Sequence, residues 1–91
     1  MRYVGSKRIN GEKDGQVYDF YEIYALERGD EKYSESGWKP YEYYSKKHKR
    51  VKYPAISRDN YDDCVNNGLR FDSQVSFDFA NGVRTMRVLD K

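Results

Sequence analysis

From Gln74 to Ala80 the chain alternates apolar and polar side chains. Val75, Phe77 and Phe79 fall on one side and Ser76 and Asp78 on the other, the period-two pattern of a strand with one covered face. Asn81 and Gly82 follow directly. Both tolerate positive φ, which a type I′ two-residue turn demands, so the segment predicts a hairpin. That turn fixes the register. It sets Ala80 opposite Val83, Phe79 opposite Arg84, Phe77 opposite Met86 and Val75 opposite Val88, with Asp78 against Thr85 and Ser76 against Arg87. Hydrophobic residues then meet along one face, except at the turn, where Arg84 reaches water.

Upstream, the period changes. Tyr61, Cys64 and Val65 stand at i, i+3 and i+4, one apolar face of a short helix. Ser57 can cap its start, Asp59, Asp62 and Asp63 suit its positive end, and Gly68 can close it. Cys64 reads as a small buried hydrophobe.

The N-terminal half reads as strands. Arg2 to Ile9 leads into a glycine-bracketed loop, Asn10 to Gly15 (NGEKDG). Val17 to Glu27 is the longest strand, β-branched and aromatic throughout. Val17, Tyr21, Ile23 and Ala25 share one of its faces; Tyr18, Phe20, Tyr24 and Leu26 share the other. A surface strand ordinarily has one polar face. The second aromatic face here either packs beneath another element or binds something. Residues 28–37 form a charged loop. Lys39 to Ser45 and Arg50 to Ile56 are extended, with the basic run between them a turn or an exposed strand, and Pro54 marks a strand edge.

The order is therefore two strands, a third that is interrupted, one helix, then two strands. This is the order of a mainly β, five-stranded OB-like barrel with one short helix between strands 3 and 4. An SH3-like barrel and a split α+β sheet share parts of it. Ninety-one residues suffice for a single domain, 1–91. A mean hydropathy of −1.10 would suit a disordered chain, but 16% aromatic residues, ten of them Tyr, supply buried area with a polar tip.

Net charge is only +2, yet residues 39–58 carry seven basic side chains and one acidic. Six of the seven residues from Lys46 to Lys52 (KKHKRVK) are basic, with Tyr41, Tyr43 and Tyr44 before them and Tyr53 after. Cations contact phosphates and flat rings stack bases, and a protein that holds a single nucleic-acid strand needs both. The candidate phosphate contacts are Lys46, Lys47, Lys49, Arg50 and Lys52, extended by Arg8 and Lys13 near the first loop. Tyr18, Phe20 and Tyr44 are the stacking candidates, core packing being the other use for each. Trp38 reads as a barrel lid or loop anchor, and His48 as a solvated residue whose cationic neighbours oppose its protonation.

The chain resembles the small OB-fold single-stranded-DNA-binding proteins of filamentous phages and related mobile elements. The likeness lies in its size, in the basic glycine-flanked loop before an aromatic strand (Asn10 to Phe20), and in the final Asn81-Gly82 hairpin ending Met86, Arg87, Val88, Leu89. It implies a homodimer that coats a strand cooperatively. The insert over 28–49 and the KKHKR run depart from that pattern.

Other chemistry has little to stand on. Asp62 and Asp63 are adjacent, so on a helix they diverge by about 100° and cannot face one another as acid and base. One His and one Cys far apart do not make a zinc site. The phosphate loop, the nucleophile elbow and the dinucleotide fingerprint are all missing. The chain is thus expected to be non-enzymatic and without cofactor or metal. A lone cysteine and the lack of a leader or long apolar run predict a cytoplasmic protein away from membranes. The rival reading is a protein-binding inhibitor or adaptor from a mobile element, acting on host machinery through the acidic stretch Glu27 to Glu35 and exposed tyrosines.

Overall fold

The computed structural model describes residues 1–29 and 37–89. These residues are mainly β, with eight strands and one short helix among them. β1 (Arg2–Lys13) and β2 (Gln16–Arg28) form a long antiparallel hairpin. The segment expected as an interrupted third strand is four short ones: β3 (Trp38–Pro40), β4 (Tyr43–Ser45), β5 (Arg50–Lys52) and β6 (Ala55–Ser57). Helix α1 (Arg58–Asn66) follows, then the hairpin of β7 (Val75–Ala80) and β8 (Val83–Val88).

β2 is the spine of the fold. Its one edge pairs with β1; its other edge takes β6 beside Phe20 to Glu22 and β3 beside Leu26 to Arg28. β4 and β5 form a separate hairpin, and β7 and β8 another. A single bridge, Arg2 to Gln74, ties the last hairpin to the start of β1, reinforced where the Tyr3 N–H donates to the Ser73 carbonyl at 2.8 Å. The strands do not close into one continuous five-stranded barrel by hydrogen bonds.

The last hairpin has the register expected from the Asn81-Gly82 turn, pair for pair, with both turn residues at positive φ. Its apolar face is covered only at the inner end. Val75 and Met86 are buried, whereas Phe79 near the turn is exposed. The helix is capped as expected: Ser57 Oγ accepts from the Asn60 N–H, and Gly68 takes positive φ after Asn67. Cys64 is buried, its thiol donating to the Met86 carbonyl at 3.3 Å, but Val65 lies in solvent rather than on the packed face. Asn60, absent from the expected apolar face, fixes the helix instead. Its side chain donates to the Met86 carbonyl (2.9 Å) and accepts from the Met86 N–H (2.7 Å).

Two expectations are corrected. The glycine-bracketed loop over 10–15 is mostly strand. Only Asp14 and Gly15 turn, both at positive φ, so Asp-Gly was the hairpin signal and Gly11 lies inside β1. Pro54 does not mark an exposed edge. It is buried at the break between β5 and β6, and its carbonyl accepts from the Ile23 N–H at 2.8 Å, so the missing proline N–H is not needed by the ladder. The expected charged loop over 28–37 falls largely outside the described residues.

The core gathers on one face of β2. Ile23 and Ala25 meet Tyr3, Ile56, Cys64, Val75 and Met86. Tyr21, on the same face, stacks on Tyr61 of the helix at 3.8 Å between centroids. Tyr41 likewise stacks on Phe77 at 5.2 Å.

Candidate nucleic-acid interface

The opposite face of β2 carries Tyr18, Phe20, Glu22 and Tyr24, and the β4–β5 hairpin and Tyr53 approach it. Between them opens a cleft of about 350 Å³, at the small end of the roughly 300–1,000 Å³ usual for small-molecule sites. Phe20 and Glu22 line it from β2, Ile9 from β1, and Tyr43, Arg50, Lys52 and Tyr53 from the covering segment.

In the β4–β5 hairpin Tyr43 stands opposite Lys52 and Ser45 opposite Arg50, so these share a face; Tyr44 stands opposite Val51 on the other. Tyr43, Arg50 and Lys52 line the cleft, joined from β5 by Val51, while Tyr44 is 62% exposed and does not. Tyr53 is set by Tyr24, whose ring it meets edge-on at 4.8 Å. Tyr43 is held from behind by Arg84 of β8, the guanidinium 4.2 Å from its ring centroid.

Lys46, Lys47, His48 and Lys49 form the turn between β4 and β5 and are all exposed. Lys49 takes positive φ to close the turn, and the His48 N–H donates to Ser45 Oγ at 3.3 Å. Lys52, then loss of water, then Arg50 and Lys47 hold the His48 pKa below its ordinary value. The imidazole thus senses the positive field of this loop.

Lys13 and Tyr18 extend the same face along the β1–β2 hairpin, beyond Phe20. The Tyr18 ring lies across Gly11, its cross-strand neighbour, with its centroid 6.3 Å from that of Phe20. A Cβ at residue 11 would come within 2.5 Å of the Tyr18 hydroxyl, which is why glycine suits this strand position. Arg8 is on the other side. Its Nε and Nη2 reach the two Asp19 carboxylate oxygens at 2.9 and 2.7 Å, and Arg58 adds a contact at 3.3 Å. Through this bidentate bond Asp19 raises the Arg8 pKa and Arg8 depresses that of Asp19.

No protein-family model, curated protein or solved structure matches the chain. Its function must be argued from the site.

Of the ten residues singled out from sequence, the structure brings Phe20, Arg50 and Lys52 into one cleft, with Lys46, Lys47 and Lys49 in the exposed turn between β4 and β5 and Lys13 and Tyr18 further along the hairpin. Arg8 and Tyr44 face elsewhere. Sequence reasoning passed over Tyr43, Tyr53 and Glu22 as site residues. A four-residue turn over 46–49 would have placed Tyr43, not Tyr44, beside Lys52, and the parity of β2 would have put Glu22 between Phe20 and Tyr24. Trp38 lies in β3. It pairs with Arg28 in the sheet, with the Arg28 guanidinium 4.7 Å from its ring centroid and that of Arg2 at 5.7 Å.

Proposed function

We propose that this chain binds single-stranded nucleic acid, DNA foremost, with little overall sequence preference and without bond chemistry. The observation that carries the proposal is the cleft: three aromatic side chains, Phe20, Tyr43 and Tyr53, share one wall system with Arg50 and Lys52, and the lysine turn adjoins it. Rings of this kind stack unpaired bases, and the cations take the phosphates. Lys13 and Tyr18 continue the path along the first hairpin. The strand and helix order suits an OB-like architecture in which the β4–β5 segment replaces a continuous third strand, a coat-type homodimer being part of the same proposal.

A titration of Tyr and Trp fluorescence with a short poly-dT strand, at low and moderate salt and beside a duplex, tests this. Quenching by the single strand that weakens steeply with salt is the expected result. No binding at low salt overturns the proposal. Attention then passes to a protein partner, for which the uncovered Phe79 and Val83 at the last hairpin's turn offer an apolar contact.

A further inference from the structure

The cleft holds one group that phosphate binding does not account for. Glu22 lines it between Phe20 and Tyr24. A carboxylate among polyanion contacts repels phosphates, so it weakens binding unless the ligand offers it hydrogens. Nor is it neutralised in place. Among the described residues Glu22 forms no ion pair with Arg50, Lys52 or its cross-strand neighbour Lys7. Its one hydrogen bond there is from the Tyr24 hydroxyl to Oε1 at 3.1 Å. That bond orients the carboxylate and leaves Oε2 and the second Oε1 lone pair as acceptors. Loss of water, then the Glu22 bond, raises the Tyr24 pKa, so the phenol remains the donor and Glu22 the acceptor.

An ionised carboxylate accepts only, and its two oxygens suit a pair of parallel N–H donors. Guanine presents such a pair on its Watson–Crick edge, N1–H beside the N2 amino group. Thymine presents one N–H between two carbonyls, which a carboxylate repels. Adenine and cytosine each set their amino group beside an acceptor nitrogen. In a single strand this edge is free to be read. We infer that the cleft accepts a guanine base, with Glu22 accepting from N1–H and N2–H while the aromatic wall stacks the ring and Arg50 and Lys52 hold the adjoining phosphates. The inference rests on the nucleic-acid reading above and adds to it one position at which sequence is read.

The test is a fluorescence-anisotropy titration with three labelled thymidine strands identical except for one central nucleotide: guanosine, inosine or thymidine. The guanosine strand is expected to bind on the order of tenfold more tightly than the all-thymidine strand. Inosine, which keeps N1–H but lacks the amino group, is expected between them. In Glu22→Gln, which has the same shape, the guanosine-to-thymidine ratio is expected to fall toward one. Equal binding of all three strands overturns the inference and leaves the general reading standing. A guanosine preference that survives in Glu22→Gln overturns the assignment to Glu22. Failure to bind any strand overturns both. The three strands need no protein variant, so the answer does not depend on whether Glu22→Gln folds.

Discussion

The two faces of β2 are almost equally apolar in sequence and have opposite fates. On one, Ile23 and Ala25 are buried against β6, β7, β8 and α1, and Tyr21 is stacked flat on Tyr61. On the other, Phe20 shares a cleft with the β4–β5 hairpin and Tyr53, and Tyr24 meets the Tyr53 ring edge-on. What separates a core face from a candidate binding face is therefore coverage, not hydrophobicity. The helix and the last hairpin fill one side, while the covering segment on the other brings cations and tyrosines with it. The carboxylates of the two sides differ in the same way: Glu22, on the open side, has no ion pair among the described residues, whereas Asp19, on the packed side, sits at the outer end of the strand and is tied to two arginines.

The largest expected effect separates the faces by stability. Ile23 is fully buried, so Ile23→Ala should cost about 2–5 kcal/mol, seen as a lower urea midpoint with unchanged slope. Phe20→Ala removes a larger side chain but from a half-open wall, and should cost clearly less. An equal or greater loss at Phe20 would make the cleft face a second core and break the comparison.

The next effect is on binding. Replacing Phe20, Tyr43 or Tyr53 by Ala should weaken binding of a short single strand by about 1–3 kcal/mol each, read as a rise in Kd of roughly 5- to 150-fold. Tyr44→Ala should change it less than about twofold, because Tyr44 projects from the far face of its hairpin. A Tyr44 effect as large as that of Tyr43 would move the binding surface to the outside of the β4–β5 arm.

Much of this scaffold was legible in the sequence, for local reasons. The Asn81-Gly82 turn and strict alternation set the last hairpin's register, and Ser57 and Gly68 bracketed the helix because cap chemistry is a matter of a few neighbouring residues. What the sequence did not show depends on distant parts. Whether an apolar stripe is covered is decided by elements far along the chain, so Val65 and Phe79 were expected against the core and lie in solvent. The basic run was legible as chemistry, but its register was not, and one residue of register separates Tyr43 in the cleft from Tyr44 outside it. Arg8 was read as a phosphate contact because nothing local revealed that Asp19, eleven residues on, would claim it.

A smaller effect concerns the cations. Each phosphate contact on a single strand contributes about 0.7 to the slope of log affinity against log salt. Arg50→Gln and Lys52→Gln should each lower that slope by about this amount, and Arg8→Gln should leave it unchanged, since its charge is already spent on Asp19 on the packed side. A fall in slope for Arg8→Gln would put phosphates on both sides of the first hairpin.

The smallest effect is a proton. In the free protein Lys52, Arg50 and Lys47 keep His48 below the ordinary histidine value of about 6.5, so it is neutral at pH 7. Phosphates bound by the same cations would cancel part of that repulsion and raise the His48 pKa. The bound state then holds more protons than the free one wherever His48 titrates. Affinity should accordingly rise as pH falls through about 6.5 and below, and stay level above it. With one group involved, the slope cannot exceed about tenfold per pH unit. In His48→Gln, with no group titrating in that range at this position, the rise should vanish while the salt slope at pH 7 stays that of the parent. A pH profile that is flat in the parent would mean that bound phosphates do not approach the 46–49 turn, and would confine the interface to the cleft wall of Arg50, Lys52 and the aromatic rings.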